Sequence, residues 1–224
     1  MNTAARVTAE TLRPRLADGL AALAIALEDD ALTQLLRYLD LLVTWNSAFN
    51  LSGIRNPEEM LSRHLLDSLS ILSAIEGPRV LDIGTGAGLP GIPLAIARPD
   101  IAFHLLDANG KKMRFLFEVK TQLALTNVVL LHARAEDLPS ATTFDTVVSR
   151  AVGTLAELQR LGAPRLEPHG QLLAMKSTPS ADELAAVEPP YTVRRVTELS
   201  VPGITTPRTL VCIARLPGQD GNPA

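Results

Sequence analysis

Residues 82–91 read Asp82-Ile-Gly84-Thr-Gly86-Ala-Gly88-Leu-Pro-Gly91, set between the apolar pair Val80-Leu81 and the apolar stretch Ile92 to Ala97. Glycines spaced this way let a backbone turn sharply at positive φ and let a bulky nucleotide-like ligand approach its N–H groups. Two further segments suit the same ligand. Asp107 closes the run Leu105-Leu106-Asp107, about twenty residues past the glycines, where a carboxylate can accept both ribose hydroxyls. Ala133-Arg134-Ala135-Glu136-Asp137 offers a carboxylate and backbone N–H groups to an adenine edge. Arg150 follows the candidate strand Phe144-Asp145-Thr-Val-Val-Ser149, and its guanidinium can bind a carboxylate, a phosphate or a guanine edge in bidentate fashion.

The glycine segment satisfies two patterns. Gly86-x-Gly88-x-x-Gly91 fits the dinucleotide fingerprint, whereas Asp82-x-Gly84-x-Gly86-x-Gly88 fits the loop that binds S-adenosylmethionine. Register favours the second. The dinucleotide reading runs a strand through Asp82 and Gly84, where a buried parallel strand is normally near-continuously apolar. The methyl-donor reading stops the strand at Ile83 and leaves every glycine in the loop. Asp82 then either helps hold the donor's charged amine or orders the glycine turn. A nicotinamide cofactor stays open at this point, since Asp107 suits both.

These residues need a scaffold, and the hydrophobic pattern supplies one. Candidate strands fall at 79–83, 102–106, 127–132, 144–148, 170–175, 191–199 and 207–214, with helical segments at about 89–98, 110–124, 154–163 and 180–187. Alternating strands and helices imply a mostly parallel sheet covered on both faces. The last two strands are joined by Pro202-Gly203-Ile-Thr-Thr-Pro207, which has no room for a helix, so they form an antiparallel hairpin. Ligands of such sheets sit beyond the carboxyl ends of the strands, which is where Asp107, Glu136 and Arg150 fall, with Asp82 at the end of its strand just before the glycines. The expected fold is therefore α/β, a Rossmann-like methyltransferase core over 77–217, with a helical extension over 1–76 and a frayed tail at 218–224.

Residues 8–75 carry helical periodicity. Leu32, Leu35, Leu36, Leu39, Leu42 and Val43 share one helix face. Asn56-Pro57-Glu58-Glu59 marks the start of another helix, expected to run to about Ile75, where Gly77-Pro78 stops it. On that helix Glu59, Arg63, Asp67 and Ser70 form a polar stripe, with Arg63 and Asp67 spaced as an i,i+4 pair. His64 lies at its border and reads as a packed or hydrogen-bonded histidine. The histidines at 104, 132 and 169 give no metal-ligand spacing, and no metal is expected.

Composition narrows the function. With 224 residues, 46% hydrophobic and 20% charged, the chain is ordinary globular protein. Aromatic residues make up 4% and the net charge is -3, which argues against a stacking platform for single strands and against a general polyanion binder. Lys111, Lys112 and Arg114 cluster, as do Arg194 and Arg195, so any nucleic-acid binding relies on shape or partners as well as charge. Cys212, the single cysteine, lies in the apolar run Leu210 to Ala214 and reads as a core residue of a protein in a reducing cytoplasm. Leu20 to Leu27 is flanked by acids and reads as a helix face, not a secretion signal.

Taken together, the chain resembles the bacterial RsmG family, also called GidB, which methylates guanine N7 in small-subunit ribosomal RNA with S-adenosylmethionine. The resemblance spans about residues 40–215. It rests on Trp45-Asn46-x-x-x-Asn50-Leu51-Ser52, Arg63-His64-x-x-Asp67-Ser68, the segment Asp82 to Pro93, Leu106-Asp107, Lys111-Lys112 and Ser149-Arg150-Ala151, all in the family's order. It implies contacts to S-adenosyl-L-methionine at Gly84, Leu89, Ala135, Glu136 and Arg150, with Asp107, Ala108 and Asn109 near the ribose, beside Asp82, Gly86 and Gly88 of the loop. It also implies that Asn50, Arg63, His64 and Asp67 line the RNA side of the cleft, with Lys176 and Arg208 at its rim. Two positions depart from the family: Ser177 follows Lys176 where a glycine is usual, and Thr209 follows Arg208 where a histidine is common.

The implied chemistry needs no general base, because guanine N7 already carries an in-plane lone pair. Alignment and proximity carry the rate instead. The N7 edge faces the major groove, too deep and narrow in A-form RNA for side chains, so the target must be splayed from a loop or reached in a partly opened particle. The expected partner is 16S rRNA within the small ribosomal subunit or an assembly intermediate, met by a monomeric cytoplasmic enzyme that binds naked RNA weakly. Competing readings are a methyltransferase of the same fold acting on a protein or small molecule, an NAD-dependent oxidoreductase, and a non-catalytic RNA-binding assembly factor.

Overall fold

A computed structural model of the protein describes residues 9–139, 141–150 and 153–216. Ala151 of the Ser149-Arg150-Ala151 motif and the expected tail at 218–224 lie outside the described residues. The chain opens with helices α1 (Arg13–Ala22) and α2 (Asp29–Phe49), followed by the short helices α3 (Pro57–Met60) and α4 (Asp67–Leu69). The rest alternates as β1 (Arg79–Ile83), α5 (Gly91–Ala97), β2 (Ala102–Leu106), α6 (Gly110–Gln122), β3 (Val128–Leu131), β4 (Phe144–Arg150), α7 (Leu155–Gly162) and β5 (Leu166–Lys176). Helix α8 (Ala181–Ala185) and strands β6 (Tyr191–Glu198) and β7 (Thr209–Arg215) complete it.

The sheet has seven strands in the order β3-β2-β1-β4-β5-β7-β6. The pairs among β1 to β5 are parallel, while β7 runs antiparallel to both β5 and β6. The strand order reverses between β1 and β4, which places the ligand crevice outside their carboxyl ends. Strand and hairpin expectations agree with this arrangement. Strand β1 ends at Ile83, and Gly84, Gly86 and Gly88 follow at φ of 67°, 62° and 91°, as the methyl-donor register requires.

Alternate residues of the strands feed two apolar layers. Val80, Phe103, Leu105, Val128, Val148, Leu173 and Cys212 face one layer, and Leu81, Val147, Leu172, Val211 and Ile213 face the other. The leucines of α1 and α2, among them Leu16, Leu20, Leu35, Leu39 and Leu42, join the first layer together with α5 and α6. Each such fully buried leucine contributes about 2 kcal/mol. The extension is therefore bound to the sheet through the same core that holds the glycine loop.

The helix expected from Asn56 to about Ile75 is not continuous. Asn56 caps its start, accepting from the N–H groups of Glu58 and Glu59. After α3, residues Leu61–Leu66 widen into a π-helical turn before α4, and Leu72–Ala74 form a 3₁₀ turn. A π turn inside a helical run is a rare conformation that concentrates at functional sites. This one carries Arg63 and His64.

Candidate active site

Asp82 sits at the end of β1 with its side chain completely buried. One carboxylate oxygen accepts from the Thr85 hydroxyl at 2.6 Å and from the Gly91 N–H at 2.9 Å, tying both ends of the glycine loop together. The other oxygen has no hydrogen-bond partner among the described residues. Of the two roles open to Asp82, the geometry favours ordering the turn. Burial raises its pKa to about 6, against the pull of the Thr85 and Gly91 hydrogen bonds and of the Arg150 charge.

The loop has a packed side and an open side. A Cβ on Gly88 would lie 2.5 Å from Ile92 Cγ1 and 2.8 Å from Leu116 Cδ2, whereas one on Gly86 would meet nothing nearer than the Lys112 ammonium at 3.8 Å. Gly86 therefore presents bare backbone to the cleft, as a loop that admits a ligand must. The Asp107 carboxylate accepts from Gly86 N–H at 2.9 Å and from Asn109 N–H at 2.8 Å, with Lys112 Nζ at 3.5 Å. A carboxylate has about four lone-pair sites, so acceptor capacity remains for hydroxyl donors. Asn109 caps α6 by accepting from Lys111 and Lys112 N–H, and the Ala108 carbonyl lies 3.2 Å from His132 Nε2. Ala135 is buried and its carbonyl accepts from Arg165. Glu136 is exposed beside Arg160 at 3.3 Å, and its pKa is lowered, first by a backbone hydrogen bond and then by Arg160 and Arg134. Leu89 is buried at the base of the loop.

Past the carboxyl end of β4 lies a cavity of about 390 Å³ lined by Ile54, Arg63, His64, Asp67, Arg150, Met175, Lys176, Ser177 and Arg208. The fold thus gathers five of the six substrate-side candidates and Arg150 from four stretches of chain. Asn50 is not among the lining residues. It closes α2 in a left-handed conformation and accepts from Arg55 at 3.2 Å.

Asp67 is the hub. One oxygen accepts from Arg150 Nη1 at 3.1 Å and the other from Arg208 Nε at 3.0 Å, with the carboxylate almost fully buried. The i,i+4 spacing pointed to Arg63 as its partner, but Arg63 pairs with Glu59 at 2.6 Å, one turn in the other direction. The widened turn moves Asp67 off that stripe and into the protein. Arg150 Nη1 also donates to the Arg63 carbonyl at 2.9 Å.

His64 is buried, with Nδ1 3.0 Å from the Arg63 carbonyl and Nε2 2.8 Å from Ser52 Oγ. A carbonyl can only accept, so Nδ1 carries the proton and Nε2 accepts from the Ser52 hydroxyl. Ser52 in turn is held by Asn46, whose side chain accepts from Ser52 N–H at 2.7 Å and donates to the Ile54 carbonyl at 2.8 Å. Burial and the nearby Arg150 charge lower the His64 pKa to about 4, so the ring is neutral near neutrality.

Lys176 donates to the Gly153 carbonyl at 2.6 Å and pairs with Glu183 at 2.7 Å. The two departures from the family pattern meet: the Thr209 hydroxyl donates to the Ser177 carbonyl at 3.0 Å, closing the end of the β5–β7 pair beside the cavity. Cys212 is buried and donates to Gln171, with its thiol pKa raised by burial, which suits a core residue.

Sequence reasoning passed over Tyr38, Thr85, Met175 and Ile54. Tyr38 lies on the apolar face of α2 with Leu35 and Leu42, so its spacing reads as core, yet its hydroxyl donates to the Ala87 carbonyl in the glycine loop at 2.7 Å. Nothing in the spacing indicates that contact.

Comparison with known proteins agrees with the geometry. The family model GidB, rRNA small subunit methyltransferase G, matches residues 31–212. A ribosomal RNA small subunit methyltransferase G from Nitrosococcus oceani is 46% identical over 86% of this chain and 90% of its own length. The protein of the same name from Stenotrophomonas maltophilia is 48% identical over 80% of this chain and 84% of its own. Among solved structures, an O-methyltransferase from neocarzinostatin biosynthesis, in complex with S-adenosylmethionine, superposes with a TM-score of 0.56 at 18% identity, covering 71% of this chain and 56% of its own. That likeness bears on the fold alone. The sheet order, the glycine loop in methyl-donor register and the family match across most of the chain lead to one assignment: the chain belongs to the GidB family of rRNA small subunit methyltransferases G.

Proposed function

We propose that the protein transfers the methyl group of S-adenosyl-L-methionine to N7 of a guanine in 16S rRNA, acting as a cytoplasmic monomer on the small ribosomal subunit or its assembly intermediate. The observation that carries this reading is the placement of Arg150. It stands at the end of β4 at the sheet's switch point, where its neighbour Ser149 donates to the Ile83 carbonyl at the root of the glycine loop at 2.8 Å, while Arg150 itself pairs with Asp67 and lines the substrate-side cavity with His64. The end of β4 thus joins the donor end of the crevice to the RNA end.

The residues present suit the donor. Gly86 offers bare backbone, Gly84 and Gly88 turn the chain on either side of it, and Leu89 packs beneath. Asp107, Ala108 and Asn109 take the ribose, Ala135 and Glu136 the adenine, and Asp82 holds the loop's shape. When bound, S-adenosyl-L-methionine supplies a methyl group on a positively charged sulfur. The protein has no proton to remove, because guanine N7 is already a nucleophile. Its residues hold the two reactants in line and keep water out, and positioning of this kind can supply about 7 kcal/mol or more of the barrier. A donor aimed at N7 would occupy the attacking lone pair, so Arg150 contacts the cofactor, a phosphate or O6. Neutral His64, fixed by Ser52 and the Arg63 carbonyl, shapes the wall of the substrate cavity, and Arg63, Lys176 and Arg208 offer cationic contacts to the RNA backbone. Asp67 holds Arg150 and Arg208 in place, and Asn50 meets RNA at the outer rim.

Among the described residues no helix is long and apolar enough to cross a membrane. With an acidic average charge and few aromatic residues, recognition is expected to depend on folded ribosomal RNA with its proteins. The deciding experiment is methyl transfer from labelled donor to purified small-subunit particles, mapped by nucleotide, beside naked 16S rRNA and a short hairpin. Modification of one guanine at N7, strongest on the particle, is the expected result. Labelling of protein instead of RNA would reject the reading.

A further inference from the structure

We infer that Tyr38 is a positioning residue of the methyl-donor site, so that helix α2 of the extension is part of that site; this rests on the methyl-transfer reading above. Tyr38 is fully buried, and its hydroxyl donates at 2.7 Å to the carbonyl of Ala87, 49 residues away in sequence. Ala87 stands between Gly86 and Gly88, both at positive φ, in the most freely turning stretch of the loop. The Gly88 N–H is already engaged with the Thr85 carbonyl. Tyr38 therefore fixes the other end of the same peptide plane, the Ala87 carbonyl.

Three side chains hold the loop: Asp82 at Thr85 and Gly91, Asp107 at Gly86, and Tyr38 at Ala87. The first anchor lies in β1 and the second directly follows β2, whereas the third comes from the extension. Helix α2 is itself fixed to the C-terminal end of α6, through Gln34 to the Leu123 carbonyl at 3.2 Å and Arg37 to the Gln122 carbonyl at 3.0 Å. Eight residues beyond Tyr38, about 12 Å along the helix, Asn46 orders the Ser52–Ile54 segment that holds His64. One helix thus fixes a peptide of the donor loop at its middle and the substrate-side wall at its end. Without the Tyr38 hydroxyl the buried Ala87 carbonyl loses its partner, and donor binding must itself order the loop.

The test compares the full-length protein with Tyr38→Phe and Gln34→Ala. S-adenosylmethionine affinity is measured by calorimetry, melting temperature by circular dichroism, amide hydrogen exchange across the chain, and turnover on small-subunit particles at saturating donor. Tyr38→Phe is expected to weaken donor binding about tenfold, to speed exchange at residues 86–89, and to leave saturated turnover within about twofold. Gln34→Ala removes a tie of α2 to the far end of α6 that does not touch the loop, and is expected to lower the melting temperature while leaving donor affinity unchanged. Wild-type donor affinity in Tyr38→Phe, or equal weakening in both variants, would overturn the inference. A wild-type protein that binds no S-adenosylmethionine would reject the methyl-transfer reading instead.

Discussion

Asp67 and Arg150 stand 83 residues apart in sequence and meet at 3.1 Å, with Arg208 closing on the second carboxylate oxygen at 3.0 Å. Two guanidinium groups on one buried carboxylate make a unit whose members do not substitute for one another. Removing the carboxylate leaves two like charges facing each other in a part-buried cavity, whereas removing Arg150 leaves Asp67 still paired.

Asp67→Ala is therefore expected to cost about 3 kcal/mol of stability, and Arg150→Ala distinctly less. For turnover the order reverses, with Arg150→Ala losing about a hundredfold through misalignment. Urea unfolding and single-turnover methylation of particles measure the two quantities. An Arg150→Ala enzyme with normal donor affinity and normal turnover would remove Arg150 from the proposed site.

Gly88→Ala introduces a Cβ at 2.5 Å from Ile92 and 2.8 Å from Leu116, at a φ of 91° that alanine resists. A loss of about 2 kcal/mol or more and no measurable donor binding are expected. Gly53→Ala, with nothing within 4 Å, serves as the control and should behave as wild type. Donor titration followed by thermal shift compares them.

His64 gives the protein an acid sensitivity of definite sign. Its folded pKa, about 4, lies below the ordinary histidine value of 6.5, so the unfolded chain binds the proton more readily, and stability falls as pH drops from 6.5 towards 4. At about pH 5 the loss relative to neutrality is ~2 kcal/mol. Asp82 acts in the opposite sense, since its raised pKa, about 6 against an ordinary value of 3.8, stabilises the folded state as it takes up a proton below pH 6. The two are separated by comparing urea midpoints of wild type and His64→Gln at about pH 5 and pH 7.5. The difference between the proteins should shrink on acidification, and a constant difference would place the proton elsewhere.

Turnover on saturated particles should be nearly flat between about pH 7 and pH 9, because N7 needs no deprotonation and neutral His64 has already released its proton. A kcat rising tenfold per pH unit across that window would require a general base that this reading lacks. Stopped assays across overlapping buffers at constant ionic strength decide it.

The sequence by itself determined the strand order of events along the chain: where β1 stops, where the glycines turn, which strands pair as the final hairpin, and which residues fall just beyond the strands. These follow from local rules, since periodicity, positive-φ glycines and an N-cap residue such as Asn56 act within a few residues. The tertiary structure decided the partners. Arg63 and Asp67 have ideal helical spacing, yet the π turn sends one to Glu59 and the other to two arginines from β4 and the segment before β7. Tyr38 has the spacing of a core residue, and only packing against α6 and the loop brings its hydroxyl to Ala87. Ser177 and Thr209 departed from the family pattern separately and meet in space. Spacing fixes which way a side chain leaves its own element, but what it finds there depends on how the layers pack around the sheet.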